Sequence, residues 1–251
     1  MANVTTEEMW KAMLTGNVPR LHRMRRMWGA LPSPPRCKLC NAPFSGPGSV
    51  VMRMIGYGTS PLNRRLCNWC LRALSKKPGG AEVEIALLFA DVRGSTGIAE
   101  RLSPEEYSRL IAHFYGTAAQ VIDETDGIVD KFVGDEAVAL FIPSFSENEP
   151  AANAIGAARG LLERADVPLG VGVHAGKCFV GTVGEGDAFD FTALGDPVNA
   201  TARLTSVAGA GEALISADAA SRGGLDTSGL ERRTLELRGR EQPMDAWVAA
   251  A

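Results

Sequence analysis

The sequence lacks any apolar run of the roughly 18–20 residues that a membrane-crossing helix needs, so no such span is expected. Residues 1–29 are too polar to hold the apolar core of a secretory signal, and a cytoplasmic chain is expected. Internal repeats and long low-complexity segments are also missing, which argues against a repeat architecture. Acidic residues are nearly absent from the first third. Residues 1–80 carry 2 Asp+Glu against 13 Lys+Arg, whereas residues 81–251 carry 27 against 13. The net charge of −3 therefore hides a basic module of +11 joined to an acidic domain of −14. Each surface is either solvated, or docked on the other, or the basic part meets an acidic partner through Arg53, Arg64, Arg65 and Arg72.

What is present supports one full domain plus a smaller module: 251 residues, 45% hydrophobic and 22% charged. Cysteine is scarce but patterned. Cys37/Cys40 and Cys67/Cys70 form C-x2-C pairs with 26 residues between them, and Cys178 stands alone. In a reducing compartment such pairs point to metal rather than disulfides. Four thiolates suit tetrahedral Zn²⁺, and an iron–sulfur cluster can use the same set. A knuckle, a hairpin and then a helix carrying the second pair would resemble a treble-clef zinc module. Cys178 reads as a small buried hydrophobe, and His174 as a hydrogen-bonded core residue.

Residues 1–35 are expected to form a helical segment and linker. Trp10, Met13, Leu14, Leu21, Met24 and Trp28 have near-helical spacing, with a break at Gly16–Pro19. Residues 36–78 form the cysteine module, and a second linker at Ser75–Gly80 sets the boundary before a domain over 82–251. In that domain Ile85–Val92 reads as a buried strand and Ser103–Thr125 as a helix opened by a Ser103/Glu106 capping box. Gly127–Val133 and Ala137–Ile142 read as a hairpin around Gly134-Asp135. Ala151–Arg164 reads as a helix, and Leu169–Ala175 with Cys178–Val183 as a second hairpin around Gly176. Pro197–Ser206 is a helix with proline in its first turn. Leu214–Ser216, Thr234–Leu237 and Ala246–Val248 are late strands. The order is α+β, an antiparallel-rich sheet with helices on one face.

Asp91 ends the first buried strand and Asp135 sits at a hairpin tip. Strands lie about 5 Å apart, so two such carboxylates can share hard cations, although aspartate at turns is also ordinary loop chemistry. The neighbours carry more information. Leu87-Leu-Phe-Ala-Asp-Val-Arg-Gly-Ser-Thr96, Gly127-Ile-Val-Asp-Lys-Phe-Val-Gly-Asp-Glu136, Gly172-Val-His-Ala-Gly-Lys-Cys-Phe-Val-Gly-Thr-Val-Gly184 and Gly195-Asp-Pro-Val-Asn-Ala-Thr-Ala-Arg-Leu204 occur in this order. Together they closely resemble the class III adenylate/guanylate cyclase catalytic domain, over roughly Glu82 to Val248.

That resemblance implies a ferredoxin-like α+β domain binding ATP and two Mg²⁺ or Mn²⁺ ions. It implies Asp91, Asp135 and the adjoining Val92 as metal positions, and Lys131 and Thr192 as adenine readers. Asn199 and Arg203 match the ribose-orienting and transition-state residues, and their spacing of four puts them on one helix face. Arg238 matches a basic residue for the terminal phosphates. Sites in this family lie between two catalytic domains, so a homodimer is implied. A guanylate cyclase, a catalytically weak cyclase-like binding module and a zinc-dependent nucleic-acid binder are the competing expectations.

Overall fold

The helical spacing of the N-terminal stretch is realised as α1 (Thr6–Thr15) and α2 (Pro19–Gly29) in the computed structural model. The structure describes residues 5–250 apart from 17, 31–34, 61–65, 147–148, 186–189 and 237–241. Thr5 and Glu8 close α1 with a reciprocal cap, and Trp10 and Leu14 form its buried face. On α2 the buried residues are His22, Arg25 and Trp28 rather than Leu21 and Met24. The reason is polar. Arg25 spans the cysteine knuckle and donates to the carbonyls of Leu39 at 3.1 Å and Lys38 at 3.4 Å. Between the cysteine pairs lies α3 (Gly46–Met54), and α4 (Asn68–Ser75) carries Cys70 with Cys67 as its N-cap. Of the hairpin expected there, the described residues hold an antiparallel return before α4, in which the Ser60 amide donates to the Leu66 carbonyl at 3.0 Å and the Asn68 amide to the Gly58 carbonyl at 2.9 Å. The pairings present are the isolated bridges Arg36–Pro43 and Thr59–Cys67. Glycine and proline at the start of α3 suit a helix start better than a strand.

The longest apolar run extends into β1 (Gly80–Val92), followed by α5 (Ser95–Arg101) and α6 (Pro104–Glu124). The Gly/Ser/Thr-rich stretch after Asp91 is thus a short helix, which Gly94 enters at φ 71°. Strands β2 (Ile128–Val133) and β3 (Glu136–Phe141) form the first hairpin, before α7 (Pro150–Arg164). The second expected hairpin is instead one continuous strand, β4 (Leu169–Val183), which pairs with β5 (Asp190–Leu194). Gly176 is not a turn. A Cβ there would lie 2.7 Å from the Pro197 ring, so the glycine allows close approach of α8 (Asp196–Val207). Next come β6 (Glu212–Ser216), α9 (Ala217–Arg222), β7 (Glu231–Leu235) and β8 (Met244–Ala250).

The sheet order is β2-β3-β1-β4-β6-β8-β7, with β4–β6 parallel and β5 attached to β4 off this path. One face packs Ala86, Leu88, Ala90 and Val92 against Phe114, Val121, Ala158 and Leu161 of α6 and α7. The opposite face packs Leu214, Ala246 and Val248 against Ala200 and Leu204 of α8. Helices therefore cover both faces rather than one, which is what the unbroken apolar run of β1 requires. The chain divides into two compact units. One comprises 1–83 with 179–193, and the other 84–178 with 194–251. Among the described residues no helix is long and apolar enough to cross a membrane.

Candidate active site

Asp91 sits at the end of β1, and across the β1–β3 ladder its partner is Glu136. The β2–β3 tip turns through Gly134 at φ 61°, a backbone state that favours glycine, and this sets Asp135 beside Asp91. The Val92 amide donates to the Asp135 carbonyl at 3.2 Å, which joins the strand end to the tip. The Tyr115 hydroxyl donates to the Gly134 carbonyl, and its ring stacks on Phe132 at 4.0 Å. Asp91, Asp135 and Glu136 therefore lie near enough to act on one another's charge. Burial, and then the charge of Asp135, raise the pKa of Asp91 above the ordinary carboxylate value, while Arg93 pulls it back. Glu136 is pushed up to about 7 by burial and by the charges of Asp91 and Asp135. Carboxylates whose ionisation is opposed by burial and by like charge suit a divalent cation such as Mg²⁺ or Mn²⁺.

Arg93 and Glu136 were not singled out from the sequence, although both stand inside the segments that carry the resemblance. Arg93 Nη1 lies 2.9 Å from Asp91 Oδ2, and Arg93 also donates to the Thr205 carbonyl of α8. Gly170 leaves the space its guanidinium fills, since a Cβ there would overlap Arg93 Nε.

The remaining positions are spread out. Lys131 follows a register shift in β2, stands opposite Val138, and lies 3.2 Å from the buried Asp130. Asn199 is exposed and Arg203 half-buried on α8. Thr192 is buried in β5, in the unit that contains the cysteines. Arg238 lies outside the described residues, as do Arg64 and Arg65. His174 is buried and hydrogen-bonded to Ser216 Oγ at 2.8 Å, and burial pushes the Cys178 thiol up to about 12.

Cys37, Cys40, Cys67 and Cys70 are all buried, and their sulfurs lie within 4.8 Å of one another. Cys40 Sγ is 3.7 Å from Cys67 Sγ. The amides of Cys67 and Cys70 donate to the sulfurs of Cys37 and Cys67 at 3.3 and 3.4 Å. Burial opposes ionisation of Cys37, but hydrogen bonds from Cys40, Cys67 and Cys70 bring its pKa well below the usual thiol range. The same hydrogen bonding, led by Cys37, pushes Cys70 up. Without a cation the four thiols cannot all ionise, and the geometry of the cluster is compatible with a bound metal ion.

Residues 80–250 match the adenylate and guanylate cyclase catalytic domain. The chain belongs to this cyclase family. An uncharacterized protein of Mycobacterium tuberculosis is 34% identical over 182 residues, which cover 67% of this chain and 33% of that protein. Another from Mycobacterium bovis is 32% identical over 180 residues, covering 66% and 32%. The chain thus spans about a third of the length of these curated relatives. The solved guanylyl cyclase Cya2 is 28% identical with a TM-score of 0.61, covering 68% of this chain and 93% of that one. The adenylyl cyclase CyaB from P. aeruginosa shares the fold, with a TM-score of 0.62 at 23% identity, covering 68% and 96%. Class III cyclases use divalent metal ions, and their catalytic domains bind nucleotide and commonly dimerise.

Proposed function

We propose that the chain is an adenylate cyclase, which converts ATP to 3′,5′-cyclic AMP and pyrophosphate as a homodimer with two shared sites. The observation that carries this reading is the meeting of Asp91 and Asp135, with ionisation of Asp91 opposed by burial and by the second carboxylate. Asp91, Asp135 and the Val92 backbone would hold two Mg²⁺ or Mn²⁺ ions. When bound, these supply charge to acidify the ribose 3′-hydroxyl and to neutralise the triphosphate. The 3′-oxygen bonds to the α-phosphorus, the bond to the bridging oxygen breaks, and pyrophosphate leaves. Arg203 stabilises charge on the α-phosphoryl oxygens and Asn199 orients the ribose. Lys131 and the Thr192 hydroxyl read adenine, and Arg238 holds the terminal phosphates.

At the four cysteines the ion is zinc. A tetrahedral site with Zn–S bonds of about 2.3 Å has sulfurs about 3.8 Å apart, in line with the 3.7 Å between Cys40 and Cys67. A multinuclear iron–sulfur cluster spreads its thiolates around several metal atoms, which four sulfurs within 4.8 Å do not favour. The basic module, with the exposed Arg53 and Arg72, is the surface for an acidic partner. The chain works in the cytoplasm.

Product analysis with ATP and with GTP, each in Mg²⁺ and in Mn²⁺, tests the assignment. Cyclic AMP as the dominant product is expected. Dominant cyclic GMP would make this a guanylate cyclase, and no product under any condition would leave a nucleotide-binding module.

A further inference from the structure

Lys38 lies between two of the four cysteines and is buried, its side chain only 2% exposed. An ammonium so far from water requires partners, and strand β5 supplies several of them. Its Nζ donates to the carbonyl of Phe191 and lies 3.7 Å from Asp190 Oδ1 and 5.9 Å from the Phe191 ring centroid. Asp190 Oδ1 in turn accepts from the Phe191 amide at 2.8 Å. Lys38 thus holds the carbonyl of Phe191 directly and its amide through Asp190. That carbonyl is half of the peptide unit joining Phe191 to Thr192. The Phe191 ring, fully buried, stacks on Trp10 of α1 at 6.3 Å. Successive side chains on a strand point to opposite faces, so gripping Phe191 from the module side orients Thr192 on the other.

The grip depends on the cysteine knuckle. The Cys37 amide donates to Ala42 and the Asn41 amide to Cys37, while Arg25 holds the carbonyls of Lys38 and Leu39. A metal ion tying Cys37 and Cys40 to Cys67 and Cys70 fixes the backbone from which Lys38 extends.

We propose that Lys38 is a positioning residue for purine selection, and that the four-cysteine site acts on the nucleotide site through it: the metal-bound knuckle sets Lys38, and Lys38 sets the peptide that orients Thr192. The inference rests on the reading of Thr192 as a base-contacting residue. It gives the module a role in substrate selectivity that a purely structural or partner-binding module would not have.

The test compares Lys38→Met, Lys38→Arg and Thr192→Ala in the full chain, with metal content and thermal midpoint confirming that each retains its fold. Lys38→Met is expected to reduce the ratio of kcat/KM for ATP to that for GTP by about tenfold, the size of one lost charge-assisted hydrogen bond, mainly through KM. Lys38→Arg should recover part of it. Hydrogen exchange reads the linkage without turnover. Amides of Asp190–Leu194 should exchange about tenfold faster in Lys38→Met and after stripping the cysteine-bound metal, while those of Ile128–Val133 are unchanged. If Thr192→Ala shifts the purine ratio and Lys38→Met does not, the role of Lys38 is overturned while the reading of Thr192 stands. If Thr192→Ala leaves the ratio unchanged, the reading of Thr192 falls and this inference with it. Unaltered exchange at Asp190–Leu194 in Lys38→Met overturns the mechanical link by itself.

Discussion

Glu136 shows how much a single residue owes to its neighbours across the sheet. Its pKa moves from 4.5 to about 7 because burial and the carboxylates of Asp91 and Asp135 oppose its charge. In metal-free protein the folded state therefore binds more protons than the unfolded state between about pH 4.5 and 7, and stability falls as pH rises through that window. Thermal melts in a chelator should show Glu136→Gln matching the native chain near pH 4.5 and exceeding it by a few degrees at pH 8. Adding Mg²⁺ should release protons and narrow the difference. Asp91→Ala should reduce cyclase turnover by on the order of 10²–10³-fold with little change in melting, read by steady-state assay beside the melt. Asp91 and Asp135 were legible because each stands in an ordered motif. Glu136 and Arg93 were not, because the pairing of Asp91 with Glu136 and the reach of Arg93 to Thr205 join residues far apart in the chain.

Among the elements, α6 was legible almost to the residue. Ser103 and Glu106 form a reciprocal cap that needs no tertiary partner. Strand β4 was misread because a glycine inside an apolar run signals either a turn or a close approach, and only the helix above it decides which. Gly172 makes the same point, since a Cβ there would lie 2.6 Å from the Thr205 amide and 2.9 Å from the Thr201 carbonyl of α8. Gly172→Ala should thus lift α8, destabilise the fold by about 1–3 kcal/mol, and depress turnover by displacing Asn199 and Arg203. Ser103→Ala provides the contrast. It removes a cap and about 1 kcal/mol in denaturant titrations, with kcat unaltered.

On the scale of the whole molecule, the two units hold different parts of the proposed chemistry: Asp91, Asp135, Lys131, Asn199 and Arg203 in one, Thr192 and the cysteines in the other. Mixing Asp91→Ala chains with Arg203→Ala chains should restore partial activity, because one mixed site is intact. Absence of rescue, with mixed dimers demonstrated by crosslinking, would exclude shared sites. Chelation at the four cysteines should destabilise the N-terminal unit without unfolding it at 25 °C, seen as a lower thermal midpoint of its tryptophan signal, since so small a core leans on metal. The sequence by itself determined the cyclase family, the cysteine quartet and most helices, because these depend on local pattern and on motif order along the chain. Only the tertiary structure decided that helices cover both sheet faces, that Glu136 joins the aspartates, and that Lys38 closes on the strand of Thr192. Each of these is a contact between segments distant in sequence, and periodicity carries no record of which surfaces will meet.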